Sequence, residues 1–267
     1  MTPEIIQDGL TAAAQQPVRP EPQPDRQLVA AAVERFLAIA DLTSIVADAL
    51  DVVGVASGCV PGHVLTPLGR GRRICGPAVT LRYVAEQESV AALRAAGERP
   101  RLGHQAIAAA SRPGDVAVID CAGHHDVAVI GGTSGTHFRD AGLAGCIVDG
   151  SVRDLEELAE LGLPIWSRGR SPRAALHRLR TAEVGGRVSL AEVSVCRGDL
   201  VLADDTGVVI VPAERIADVL NASEQIVAAE AAGAAPERSA LEGPASDATE
   251  ATAGRDGITG AVGGGRG

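Results

Sequence analysis

The chain contains no lysine, and all 24 of its basic residues are arginine. A Schiff-base aldolase, a pyridoxal phosphate enzyme and a P-loop NTPase each depend on a lysine amine, so these three classes are excluded in their usual form. Aromatic residues are almost missing at 1% of the chain, with Tyr83 and Trp166 alone of their kinds. The stacking platforms on which single-stranded nucleic acids rest are therefore lacking. A net charge of -10 also disfavours nonspecific attraction to phosphates. Nucleic acid is not expected as a partner. The five cysteines, Cys59, Cys75, Cys121, Cys146 and Cys196, are widely spaced with no Cys-x-x-Cys pair, which disfavours a disulfide framework or a structural zinc site. No apolar run reaches membrane-spanning length, and Met1 to Arg26 holds no apolar signal core. The expectation is a soluble, cytoplasmic protein with no membrane partner.

What remains is enough for one substantial core: 267 residues, 46% of them hydrophobic. Residues 1–26 are rich in Pro and Gln, with Pro17, Pro20, Pro22 and Pro24 closely spaced, and read as a disordered arm. Residues 233–267 are dominated by Ala, Gly, Ser, Thr and charge and read as a disordered tail. The folded domain is expected over 27–232. Helical periodicity runs from Leu28 to Ala40, and Thr43 or Ser44 is placed to cap a second helix through Ile45, Val46, Ala49 and Leu50. Strands are expected at Ala78–Tyr83, Val116–Asp120, Val127–Ile130, Cys146–Asp149, Pro164–Ser167, Val188–Cys196, Leu200–Ala203 and Val208–Val211. Helices should follow the glycines at 131–135, Arg153 and Pro212. Several β segments follow Trp166 with no helix between them, so the class is mixed α/β rather than a simple alternating doubly wound sheet.

The informative stretch is Gly131 to Glu157. A glycine cluster opens a helix, a buried strand returns, and Asp149-Gly150-Ser151-Val152-Arg153-Asp154-Leu155-Glu156-Glu157 follows. An arginine forks onto a carboxylate and an aspartate holds a hard cation, so the pair suits an anionic, metal-chelating metabolite. The amides of Gly131, Gly132, Thr133 and Ser134, at a helix start, suit the same anion. Glu157, three residues past Asp154, shares its helical face. On these residues alone a second use stands open: Ser151-Val152-Arg153-Asp154 also matches a capping box, in which Asp154 would only satisfy a backbone amide.

The spacing from Gly132 through twenty residues to Arg153-Asp154 and then Glu157 resembles the signature of the class II pyruvate aldolases of the 4-hydroxy-4-methyl-2-oxoglutarate aldolase family, which is similar to the regulator of ribonuclease activity A (RraA) proteins. Further ordered matches are Thr43–Asp51, Gly76–Thr80, Leu163–Gly169, Gly198-Asp199, Ala203–Asp205 and Gly207–Pro212. The resemblance covers about residues 41–220. It implies an RraA-like β/β/α sandwich, phosphohistidine-domain-like in layout, assembled as a homotrimer or a hexamer. It also implies a lyase dependent on Mg²⁺ or Mn²⁺ that splits a 4-hydroxy-2-oxo acid to pyruvate, with oxaloacetate decarboxylation as a companion activity. Arg153 would bind the pyruvyl carboxylate together with the amides around Gly132 to Ser134, Asp154 would hold the metal, and Glu157 would reach it through water.

Relatives commonly carry two leucines where Thr133 and Ser134 stand and an acid where this chain has Gly132. Pocket polarity and the far end of the substrate are therefore this chain's own. The rival reading is a noncatalytic, protein-binding regulator of ribonuclease E, and a third is a lyase of the same family acting on another oxo acid or sugar acid. Cys121, His124, His125 and Asp126 have no matching second pair and are not read as a zinc site. His137 is left unassigned, and Asp204-Asp205 reads as a turn.

Overall fold

The computed structural model describes residues 26–55 and 58–233. The arm and tail expected at the two ends fall outside these residues, apart from Arg26 and Gly233. Helix α1 (Arg26–Ala38) buries Val29, Ala32 and Phe36, and α2 (Leu42–Val52) buries Leu42, Ile45, Val46, Ala49 and Leu50, the spacing that puts apolar groups on one helical face. Short strands β1 (Cys59–Pro61) and β2 (Thr66–Pro67) precede the long β3 (Ile74–Ala85). Helices α3 (Val90–Ala95) and α4 (His104–Ala110) follow, then β4 (Val116–Asp120), β5 (Ala128–Ile130), α5 (Gly132–Asp140), β6 (Gly145–Val152), α6 (Leu155–Leu161) and β7 (Ile165–Arg170). Five strands then run without a helix: β8 (Leu179–Val184), β9 (Val188–Leu190), β10 (Val193–Val195), β11 (Leu200–Ala203) and β12 (Gly207–Val211). A 3-10 turn leads into α7 (Ile216–Ala231). The fold is mixed α/β, as the order of segments predicts.

One large sheet runs β1-β12-β11-β3-β4-β6-β7-β2, with β5 added to β6 and β8 to β3. Strands β3, β4, β6 and β7 are parallel to one another, while β11 joins β3 antiparallel. Side chains alternate across a strand, and here each face has its own core. Val116, Val118, Ile147, Trp166, Val201, Ala203, Val208 and Ile210 meet on one face, together with residues of the β9–β10 hairpin. The two halves of the sheet therefore pack on each other, giving the β/β part of the expected sandwich. On the opposite face Ala117, Ile119, Cys146 and Val148 pack with Ile107, Phe138 and Leu158 of α4, α5 and α6. Leu200, Leu202, Val209 and Val211 pack with α1, α2 and α7.

Three local readings need correction. Neither Thr43 nor Ser44 caps α2, since both lie inside it, and the amide and hydroxyl of Thr43 donate to Asp204 Oδ2 and Oδ1 at 3.0 and 2.6 Å. Asp204 thus satisfies the helix start from a distant loop, which also holds Trp166, whose Nε1 donates to the Asp204 carbonyl at 2.8 Å. The segment Val188–Cys196 is two strands, broken at Ala191 and Glu192, both with positive φ. The helix expected to begin at Arg153 begins at Leu155 instead, because β6 continues to Val152 in pairing with β5 and β7.

Burial pushes the Asp204 pKa upward, but the bonds from Thr43 and Thr206 outweigh it, and the net value lies below the usual 3.8. A lowered folded-state pKa gives stability that is present above the unfolded value and lost as pH falls through the folded one. Asp204→Asn should therefore lower unfolding free energy by about 1–2 kcal/mol at neutral pH, and the deficit should shrink at about pH 3. Urea denaturation at both pH values checks this, and a deficit that did not change with pH would rule out charge as its source.

Candidate active site

Strands β5 and β6 are parallel, and their carboxyl ends lie together, with Arg153 N donating to the Ile130 carbonyl at 2.9 Å. Each strand ends in a turn that opens a helix, so the starts of α5 and α6 adjoin at one edge of the sheet. Ligands of parallel α/β sheets collect at such strand ends. Gly131 precedes α5, and its amide donates to Ser134 Oγ at 2.9 Å while that hydroxyl donates back to the Gly131 carbonyl at 3.0 Å. Ser134 is buried by this turn. Of the expected substrate-binding groups, it offers its backbone rather than its hydroxyl. The amides of Thr133 and Ser134 donate to no partner among the described residues, leaving two donors at the positive end of the helix.

Arg153 and Asp154 face this helix start. Arg153 Nε lies 3.4 Å from Asp154 Oδ2, and each side chain is 40% exposed, so the pair contributes little to stability and is open to solvent. Asp154 Oδ2 also accepts the Gly132 amide at 3.3 Å. The capping-box reading fails. Asp154 makes no side-chain cap, and Ser151 donates instead to the His125 carbonyl. Asp154 has φ +55°, ψ +50°, a left-handed conformation that costs a residue with a Cβ about 1 kcal/mol. That conformation places its carboxylate toward α5 rather than over its own helix.

The two glycines leave room for this approach. A methyl group on Gly131 would come within 2.5 Å of Asp154 Oδ2, and one on Gly132 would overlap the carboxylate of Glu157. Asp154, Leu155, Glu156 and Glu157 line an open depression there. The structure thus gathers Gly131, Gly132, Thr133, Ser134, Arg153, Asp154 and Glu157 at one place. Among the described residues no three His, Cys, Asp or Glu side chains converge as a metal cage. A cation at Asp154 would take few protein ligands and keep most of its water.

The group Cys121, His124, His125 and Asp126 disperses. Cys121 is buried, and burial pushes its thiol far above the usual range. His125 Nε2 lies 3.4 Å from Asp149 Oδ1, and Asp126 pairs with Arg173 at 3.0 Å. His137 stacks on His104, with ring centroids 5.2 Å apart, and its Nδ1 is buried without a partner. Sequence reasoning missed a polar row across four parallel strands, Arg82, Asp120, Asp149 and Arg168. Arg82 Nε meets Asp120 Oδ2 at 3.1 Å, and Arg168 Nε bonds Asp149 Oδ1. The aspartates also accept hairpin amides, Ser189 N at 3.1 Å and Ala191 N at 2.7 Å. The available signal was the acid that ends both apolar runs, Val116–Asp120 and Cys146–Asp149.

Comparison with known proteins bears on the family and the fold. Protein DlpA of Legionella pneumophila is 30% identical over 178 residues, 66% of this chain, which spans only 27% of that protein's length. A protein of Albidiferax ferrireducens named "Putative 4-hydroxy-4-methyl-2-oxoglutarate aldolase" is 36% identical over 152 residues, 55% of this chain and 81% of the relative. The crystal structure of Streptomyces coelicolor RraAS2, described as an unusual member of the RNase ES inhibitor RraA protein family, superposes with a TM-score of 0.66. It is 26% identical, with 80% of this chain and 98% of that one covered. The RraA-like family model, described as Aldolase/RraA, matches residues 43–210, well over half of the chain, and this chain belongs to that family.

Proposed function

We propose that this protein is a divalent-metal-dependent lyase that cleaves 4-hydroxy-4-methyl-2-oxoglutarate, or a related 4-hydroxy-2-oxo acid, to pyruvate and a second carbonyl compound, and that it also decarboxylates oxaloacetate. The observation that carries the reading is the open Arg153–Asp154 pair set against two unpartnered amides at the start of α5, in a chain of the Aldolase/RraA family. The name borne by the Albidiferax relative supports it.

The residues suit a hard cation. Asp154 and Glu157 offer only oxygen donors, few enough to leave an ion such as Mg²⁺ or Mn²⁺ most of its water. Bound there, the ion would supply Lewis-acid polarisation of the 2-oxo group. Arg153 presents a planar fork of donors to the substrate's carboxylate, and the amides of Thr133 and Ser134 offer further bonds to the same anion. Together they fix the pyruvyl end. In the cleavage, the 4-hydroxyl gives up its proton to water and the bond between C3 and C4 breaks, leaving C4 as the second carbonyl. The electron pair stays on the pyruvyl fragment as its enolate, which then takes a proton at C3. In oxaloacetate the departing fragment is carbon dioxide and the same enolate is left, so one arrangement of positive charge serves both reactions. Assembly as a homotrimer or hexamer belongs to the same reading.

A noncatalytic regulator of ribonuclease E is the second reading, favoured by the likeness to Streptomyces RraAS2. Ribonuclease binding by a protein with no affinity for divalent cations would decide for it.

Purified protein given Mg²⁺ should release pyruvate from 4-hydroxy-4-methyl-2-oxoglutarate or oxaloacetate, and a chelator should stop it. Pyruvate from neither substrate, measured with lactate dehydrogenase, would refute the lyase. Arg153→Ala and Asp154→Ala should each lower kcat/KM by about 100-fold or more. Arg153→Lys, which keeps the charge but loses the fork, should raise KM more than it lowers kcat. Because the chain lacks lysine, borohydride with pyruvate should leave no side-chain adduct, and mass spectrometry of the treated protein reads this directly.

A further inference from the structure

Gly132 opens α5 as its first residue, yet the space a side chain would fill there is not empty. It is taken by the carboxylate of Glu157, from the first turn of α6. Gly131 stands in the same relation to Asp154, whose Oδ2 lies 2.5 Å from where its methyl group would be. Neighbouring Cα atoms are about 3.8 Å apart, so the two bare positions form adjacent seats for two carboxylates. The Glu157 side chain makes no hydrogen bond among the described residues and the residue is exposed, so packing against Gly132 is what defines its place. Two like charges brought together repel. The start of α5 offsets part of that repulsion, and a divalent cation would offset more.

We propose that Gly132 is a positioning residue for the cation site: its bare Cα seats Glu157, so that α6 presents two carboxylates, Asp154 and Glu157, to one divalent ion. The inference rests on the metal-dependent reading above. It assigns Gly132 a steric role distinct from that of its amide, which donates to Asp154. An alanine is well tolerated at a helix start, so Gly132→Ala should fold while pushing the Glu157 carboxylate off its seat.

The test is a double-mutant cycle read by Mn²⁺ binding, with free Mn²⁺ followed by electron paramagnetic resonance and folding followed by thermal melts. Gly132→Ala should weaken Mn²⁺ binding by about fivefold or more in the wild-type background and by less than about twofold beside Glu157→Ala, where nothing is left to displace. Equal weakening in both backgrounds, or no weakening in either, would overturn the positioning role while leaving the lyase intact. Wild-type protein that binds no Mn²⁺ would instead remove the lyase reading and the inference with it. A melt lowered by Gly132→Ala equally in both backgrounds would also count against the seat, since a helix defect does not depend on Glu157.

Discussion

The site depends on β5 and β6 ending together. Their parallel pairing, closed by the Arg153 amide on the Ile130 carbonyl, sets the starts of two helices side by side. One helix start supplies unpartnered amides and the other supplies carboxylates. The guanidinium of Arg153 stands at the turn between strand and helix. Had β6 ended at Asp149, as its apolar run alone indicates, Arg153 would have been a first-turn helical residue pointing with the rest of α6. The extension to Val152, and the left-handed turn at Asp154, re-aim both side chains at α5.

The parallel strands carry a second set of charges with another use. In the row Arg82, Asp120, Asp149 and Arg168, each carboxylate is bonded by an arginine and by an amide of the β9–β10 hairpin. Buried carboxylates need this saturation, because an unpaired buried charge is costly. Both aspartates are consumed in holding the hairpin over the inner core. Asp154 differs in being half-open and bonded on one oxygen only, which leaves it free to take a ligand.

Much of the fold was legible in the residues. The apolar spacing of α1 and α2, the buried runs of β4 and β6 and the absence of a helix after Trp166 all reflect local periodicity. The short strands β1 and β2 were not legible, because a two- or three-residue strand has no period of its own and exists only by pairing; β8 is longer but buries only Leu179 and so offers no apolar run. The cap of α2 was misplaced onto Thr43 or Ser44 for a related reason: the acceptor of the Thr43 amide, Asp204, lies 161 residues away. At the site, the spacing of Arg153, Asp154 and Glu157 and the glycines at 131 and 132 named the residues that the structure gathers. What spacing could not convey is that the space a side chain would fill at Gly131 and Gly132 is taken by two acids.

The sequence by itself determined the chemistry open to this protein. Having no lysine, it has no side-chain amine for Schiff-base catalysis, and its arginine-aspartate pair after a buried strand favours an anion and a hard cation. These are properties of side chains, present before folding. Tertiary structure decided whether Asp154 would cap a helix or stand open beside α5, and it chose the second. That choice required a parallel neighbour to carry β6 to Val152 and two glycines to admit the carboxylates, contacts between segments more than twenty residues apart that no local pattern records.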